Sequence, residues 1–400
     1  MNNYDVAIIG GGAAGLSAAL VLTRARRRVV VIDAGEPRNA PAAHMQGFLS
    51  RDGMPPTELL EVGRQEVASY GGQLVRGTVT SIRRCDDEGF AVSVGNNDTL
   101  SARRILLTTG LHDEIPDVPG VRERWGRDLL HCPYCHGHEV KDQQLGVLGG
   151  TPEAIQHALI IRQWSQDVVY FSHSGTPTPT ECEQLVARAI GIIEGTVSRL
   201  VIEDDRLIGV ELEDGRVVPR DAVFVRPSVV PNSNLLTELG CATHDNGWVV
   251  VDGPGRTSVT GVWVAGNAAN PRAQVITAAG EGSAAAIAIN NDLVDEDVCL
   301  AVHDFRVGLP PDSAIPQPNS KENTMNTIPQ PTKHQLALMI WIAVFPTLTA
   351  LNLAFGDTLA HLPSVLRTFV LATVAVPIVI YGLMPRLHKA RARILTRAAV

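Results

Sequence analysis

A short apolar strand that runs into a glycine turn and then into a helix of small residues constrains this chain more than any other feature. Tyr4 to Ile9 reads as the strand, GGGAAG spans Gly10 to Gly15, and Ala13 to Arg26 has helical character. Gly10 permits a tight turn, Gly12 lets backbone approach a pyrophosphate, and Gly15 lets the helix pack closely on the strand. Unpaired N–H groups and the helix dipole at that end favour an anion. Asp33 closes the next strand, where an acidic side chain binds ribose hydroxyls. Strand, turn, helix and acid together predict a dinucleotide-binding unit.

The alternation of strands and helices continues to about residue 300 and predicts an α/β protein with parallel sheets. A second unit begins near Gln144, with strand Leu145 to Leu148, helix Pro152 to Trp164 and strand Val168 to Phe171. Its loop, LGGTPEA, puts Thr151 where the second fingerprint glycine belongs. A β-branched side chain there obstructs phosphate. The 400 residues suffice for two or three domains with buried cores. A net charge of -8 argues against a nucleic-acid partner, which calls for a basic patch.

Between the two nucleotide signatures lies CPYCHGHE, Cys132 to Glu139. Two thiols at this spacing can close and reopen a disulfide, and the motif lowers one thiol pKa so that a thiolate can attack another disulfide. His136 titrates near neutral pH and can take a proton from an incoming thiol. A c-type haem attachment site matches formally, but haem is attached on the outer side of a membrane. Zinc is disfavoured because Cys135 and His136 are adjacent and no second Cys-x-x-Cys completes a set. No metal site is expected.

GGGAAG with Asp33, the TTG at Thr108 to Gly110, the Cys132/Cys135 pair and VAGNAANPRAQVITAAGEG from Val264 together resemble the low-molecular-weight thioredoxin reductases of the pyridine nucleotide–disulfide oxidoreductase superfamily. The resemblance covers residues 1 to about 300. It implies two Rossmann-like FAD/NAD(P)-binding domains, the second inserted in the first: 1–112 and 244–305 for FAD, and 113–243 for an NAD(P)-binding-like domain carrying the redox pair. It implies cofactor contacts from Gly10, Gly12, Ala14, Gly15, Asp33, Val79, Thr109, Gly110, Gly266, Asn267, Gln274 and Val275, with Arg38, Asn39 and Gln46 as further FAD contacts. The family usually has Gly-Asp where this chain has Gly266-Asn267.

By the same resemblance Cys135 faces the flavin, Cys132 exchanges with substrate, and a homodimer is expected. The substrate is a thioredoxin-like protein or a small dithiol or disulfide. NADPH is the family's donor, yet Thr151 and the lack of Arg or Lys in Phe171 to Gly175 weaken its site. The pattern CPxCHGxE resembles a subgroup of dithiol oxidases that pass electrons from a dithiol through the Cys pair and FAD to oxygen. A flavoprotein that no longer turns over and serves as a tethered sensor or scaffold is the reading from another class.

Residues 306–333 are proline-rich and read as a linker. Leu336 to Phe355 carries no charge and matches the roughly 20 apolar residues of a membrane span. Thr368 to Pro385 is a second uncharged run. Segment 334–386 is therefore expected to form a two-helix transmembrane hairpin, followed by a basic tail, 387–400. Lys333 and the Arg and Lys residues from Arg386 onward flank the two ends, and the joining loop Gly356 to Pro363 carries neither, which is expected to place the catalytic domains and both termini in the cytoplasm of a multi-pass membrane protein.

Overall fold

The computed structural model describes residues 3–85, 89–95, 98–232, 234–307, 333–359, 363–384 and 386–387. The chain divides into two compact units, Met1–Asp304 and Phe305–Val400.

The first unit holds two main sheets. In the larger one, seven-stranded among the described residues, Gln73–Arg76, Val29–Asp33, Asn3–Ile9 and Asp98–Leu107 lie side by side in parallel. Gly89–Val94 and Val79–Cys85 continue it antiparallel. Val262–Val264 returns from far along the chain to pair with the carboxyl half of Asp98–Leu107. Alternation along Asn3–Ile9 sends Val6 and Ile8 into one core and Ala7 and Ile9 into the other. Both faces are buried over Val6 to Ile9, which is why that half of the strand is apolar. Each fully buried Val or Ile stabilises by about 1.5–3 kcal/mol.

The helix Ala13–Arg24 and the long helix Val275–Val307 cover the Val6/Ile8 face. They meet at a glycine, since a methyl on Gly282 would lie 2.0 Å from the Ala14 carbonyl oxygen. Further along the long helix, Arg103 bonds Glu296 and Asp297, and Arg104 bonds Asp292.

The second sheet is five-stranded and parallel among the described residues, in the order Gly191–Ile193, Val168–Phe171, Leu145–Leu148, Ala222–Val225, Leu129–Leu130. The chain leaves the first sheet through Leu111–Glu114 and comes back through Ser228–Pro231, and these two segments pair antiparallel as a ribbon. The α/β expectation of two Rossmann-like folds, the second inserted in the first, matches this topology. Ligands of such sheets bind beyond the carboxyl ends of the strands. Gly149 and the redox loop from His131 both lie just beyond such ends.

The expected transmembrane hairpin is overturned. Among the described residues, no helix is long and apolar enough to cross a membrane. The helix Ser364–Pro377 has 14 residues and widens at Pro377 into the π-helical stretch Ile378–Leu383. The helix Lys333–Leu359 is 27 residues long, but Pro346, Thr347, Thr349 and Asn352 interrupt its apolar run. Counting uncharged residues had treated these as apolar. The multi-pass membrane location, with its assignment of cytoplasmic and outer sides, falls with the hairpin. Most of the proline-rich linker, 308–332, and the basic tail from 388 lie outside the described residues.

Candidate active site

The first glycine turn is shaped by close approach. Gly10 has φ +109°, and a methyl on it would lie 2.4 Å from the Thr108 carbonyl oxygen. A methyl on Gly15 would sit 2.0 Å from the Gly10 carbonyl oxygen, while one on Gly12 would meet nothing within 4 Å. Two glycines thus serve internal packing and the third leaves open space before the helix start. No acidic residue occupies the first turn of Ala13–Arg24 and no side chain caps it, so its N–H groups are available to an anion. Asp33 uses Oδ1 to accept the Gly11 N–H at 2.8 Å, which fixes the carboxylate over the turn.

The other residues assigned to the cofactor lie on several segments of the same unit. Thr109 and Gly110 follow strand Asp98–Leu107, and Asn232 ties them down by donating to the Thr109 carbonyl at 3.0 Å. Gly266 (φ +69°) and Asn267 open a short 3-10 turn after Val262–Val264. Gln274 and Val275 stand, half-buried, at the start of the long helix. Val79 begins its strand with its side chain buried. Asn39 and Gln46 are half-buried in the loop after Asp33. Ala14 turns its methyl to the floor, where a methyl on Gly266 would come within 2.9 Å of it. Arg38 pairs with Asp113 rather than standing free.

Two features escaped the sequence reading. Glu281 accepts the Gly266 N–H at 2.9 Å and the Asn270 amide at 2.7 Å, bracing the turn from the long helix. The Asn267 side-chain nitrogen donates to the Asn270 and Ala273 carbonyls at 2.9 and 3.0 Å. A carboxylate cannot make those bonds, so the Asn in place of the family's Asp carries a local structural role. The AGEG run in Ala279–Gly282 was the available signal for Glu281.

The second glycine turn is filled from within. A methyl on Gly149 would lie 2.5 Å from the Tyr170 hydroxyl, and one on Gly150 2.5 Å from Ser174 Oγ. The Thr151 hydroxyl is buried with no partner among the described residues. His173 accepts the Val197 N–H on Nδ1 at 3.1 Å, and burial lowers its pKa. It is therefore neutral and engaged, not a free cation for a phosphate. Thr151 thus stands where the first turn has Gly12, and no Arg or Lys lies in Phe171 to Gly175.

Cys132 and Cys135 are joined in a disulfide, with Cα atoms 5.2 Å apart. Cys132 caps the one-turn helix Pro133–His136, and its carbonyl accepts both the Cys135 and His136 N–H groups at 3.1 Å. Pro133 at the first helical position is preorganised for the turn. Gly137 follows because a methyl there would strike the Trp164 ring at 2.8 Å. Tyr134 projects to solvent and meets Trp164 edge-on at 5.6 Å. His136 is half-buried; burial lowers its pKa, and Glu139 opposes that in part. A neutral imidazole beside the pair is suited to accept a thiol proton. His138 is exposed, 3.4 Å from Lys141 Nζ.

The family of pyridine nucleotide-disulphide oxidoreductases matches residues 4–282. The chain belongs to that family. It is a thioredoxin reductase-like, FAD-dependent oxidoreductase, and the open, acid-flanked turn at Gly12 fits the pyrophosphate and ribose of FAD. Residues 330–395 match a second family, described as the Y2318 C-terminal domain. The chain is 30% identical over 317 residues to thioredoxin reductase sirT of Leptosphaeria maculans, covering 74% of this chain and 96% of the relative. It is 27% identical to the thioredoxin reductase of Listeria monocytogenes, over 70% of this chain and 91% of that one. Among solved structures it resembles HlmI at 58% identity and TM-score 0.74, covering 76% of this chain and 96% of that one. A putative thioredoxin reductase TrxB from Bacillus anthracis follows at 34% and 0.71, covering 74% and 99%.

Histidine burial beside the pair also sets a stability prediction. His157 is enclosed, and its pKa falls to about 4, chiefly through burial and then through the charge of Arg226. An unfolded His157 binds a proton that the folded one refuses, so this group's stabilising contribution is lost as pH falls from about 6.5 towards 4. His157→Leu is expected to flatten part of that decline in melting temperature. An identical pH profile in the variant would contradict it.

Proposed function

We propose that this enzyme oxidises a dithiol through the Cys132–Cys135 disulfide to FAD and then to oxygen, without NADPH. A substrate thiolate attacks Cys132 sulfur, forming a mixed disulfide and releasing the Cys135 thiolate. The second substrate thiol then attacks the bound substrate sulfur, closes the substrate disulfide and frees Cys132. His136 takes a proton from an incoming thiol, a role its lowered pKa supports. FAD held in the cradle would supply two-electron chemistry there, taking the pair from the Cys132/Cys135 dithiol for transfer to oxygen as hydrogen peroxide. The cradle of Gly10, Gly12, Gly15 and Asp33 would hold the dinucleotide, with Gln274 and Val275 on the flavin side.

The observation that supports this direction is Thr151 at the second fingerprint position, its hydroxyl buried without a partner among the described residues, beside Gly150 closed in by Ser174 Oγ. The relatives' name, thioredoxin reductase, favours the second reading: NADPH-driven reduction of a thioredoxin-like protein. A homodimer belongs to either reading. Anaerobic addition of NADPH, NADH or dithiothreitol in separate runs, watched at the flavin band, separates them. Bleaching by dithiothreitol and not by NADPH is expected. Rapid bleaching by NADPH would overturn the proposal, and no bleaching by any of them would leave a sensor or scaffold.

A further inference from the structure

Arg38 follows Asp33 in the chain, and its guanidinium is held by side chains from two other segments. Nε and Nη2 donate to the two oxygens of Asp113 at 2.7 and 2.6 Å. The Asp113 side chain is only 6% exposed, so leaving it unpaired would be costly. Nη2 also lies 3.2 Å from Nε2 of His131. A guanidinium has no acceptor, so His131 Nε2 accepts and the ring proton belongs on Nδ1. Burial first, and then the Arg38 charge, lower the His131 pKa to about 3, which keeps that acceptor free of a proton.

These three residues come from three separate segments. Arg38 belongs to the loop after the first dinucleotide acid. Asp113 belongs to the ribbon through which the chain passes from one sheet to the other. His131 directly precedes Cys132. The Arg38 loop docks a second time nearby, because a methyl on Gly126 would lie 3.1 Å from Pro41 Cβ. Trp125 packs against the His131 ring at 5.9 Å.

We propose that Arg38, Asp113 and His131 form a clasp that holds the redox loop against the flavin-binding fold, so that Arg38 is a positioning residue and not a cofactor contact. The inference rests on electron exchange between FAD and the Cys132–Cys135 pair, and not on which way the electrons run. Transfer between a sulfur and a flavin needs the two in contact, and a misplacement of about 1 Å can cost about a hundredfold in rate. The fork geometry matters because a bidentate pair fixes direction as well as distance.

The test compares wild type with Arg38→Gln and Arg38→Lys, each as the full chain with FAD. Lysine keeps a charge for Asp113 but cannot make the fork. Both variants are expected to retain one FAD per chain. The limiting rate of anaerobic flavin reduction by dithiothreitol should fall by about tenfold or more, with the half-saturating concentration unchanged. Amide exchange across Cys132 to His136, which needs no substrate, should rise in both. Loss of FAD from a folded Arg38→Lys protein would overturn the clasp and make Arg38 a cofactor contact. Unchanged rate and unchanged exchange would overturn it too. If wild type is not reduced by dithiothreitol, the dithiol-oxidase reading fails, and the exchange comparison still decides the clasp.

Discussion

Cys135→Ser is expected to abolish flavin reduction by dithiothreitol, by about a thousandfold or more, because the paired thiols act as a unit. The two cysteines should then separate by role. Given a linear disulfide such as glutathione disulfide, Cys135→Ser should trap a mixed disulfide on Cys132 as one glutathione thiolate leaves, seen as added mass on the intact protein. Cys132→Ser should trap little, since Cys135 is the thiol assigned to the flavin. Equal trapping in both variants would contradict the assignment, and residual turnover in Cys135→Ser would contradict the whole thiol route.

The second large effect is expected in the first glycine turn, where two substitutions should fail differently. Gly15→Ala puts a methyl 2.0 Å from a backbone oxygen that belongs to the same loop. Nothing flexible can yield there, so a loss of about 1–3 kcal/mol or more is expected, together with loss of bound FAD. Gly12→Ala meets no protein atom within 4 Å. Its apo melting temperature should stay near that of wild type while FAD content falls, because the methyl intrudes only where the pyrophosphate would lie. FAD content and melting temperature of the apo and loaded proteins check both. Equal destabilisation by the two would mean that Gly12 is structural and the cradle is misread.

Much of this was legible because dinucleotide loops are constrained locally. Gly10, Gly12, Gly15 and Asp33 all fall within one strand–turn–helix–strand unit, and their roles follow from spacing. Thr151 was legible for the same reason, and the structure adds how Ser174 and Tyr170 fill the space around it. What stayed hidden depends on distant partners. Arg38 stands five residues after Asp33, which put it among the expected cofactor contacts, and its partner Asp113, 75 residues away, could not be read from that spacing. Asn267 stood out in the sequence only as a departure from the family's Gly-Asp, and its amide bridges two carbonyls that spacing does not reveal. The carboxyl-terminal segment misled for another reason. Absence of charge is not the same as continuous apolarity, and Thr347, Thr349 and Asn352 break the run that Leu336 to Phe355 seemed to offer.

The measurement that tests the central claim most directly is oxygen uptake by the FAD-loaded enzyme with dithiothreitol and no NADPH, with peroxide and oxidised dithiothreitol counted together. The proposed route predicts one oxygen consumed and one hydrogen peroxide formed for each disulfide made, all abolished in Cys135→Ser. Oxygen uptake that requires NADPH, or that survives in Cys135→Ser, would contradict it.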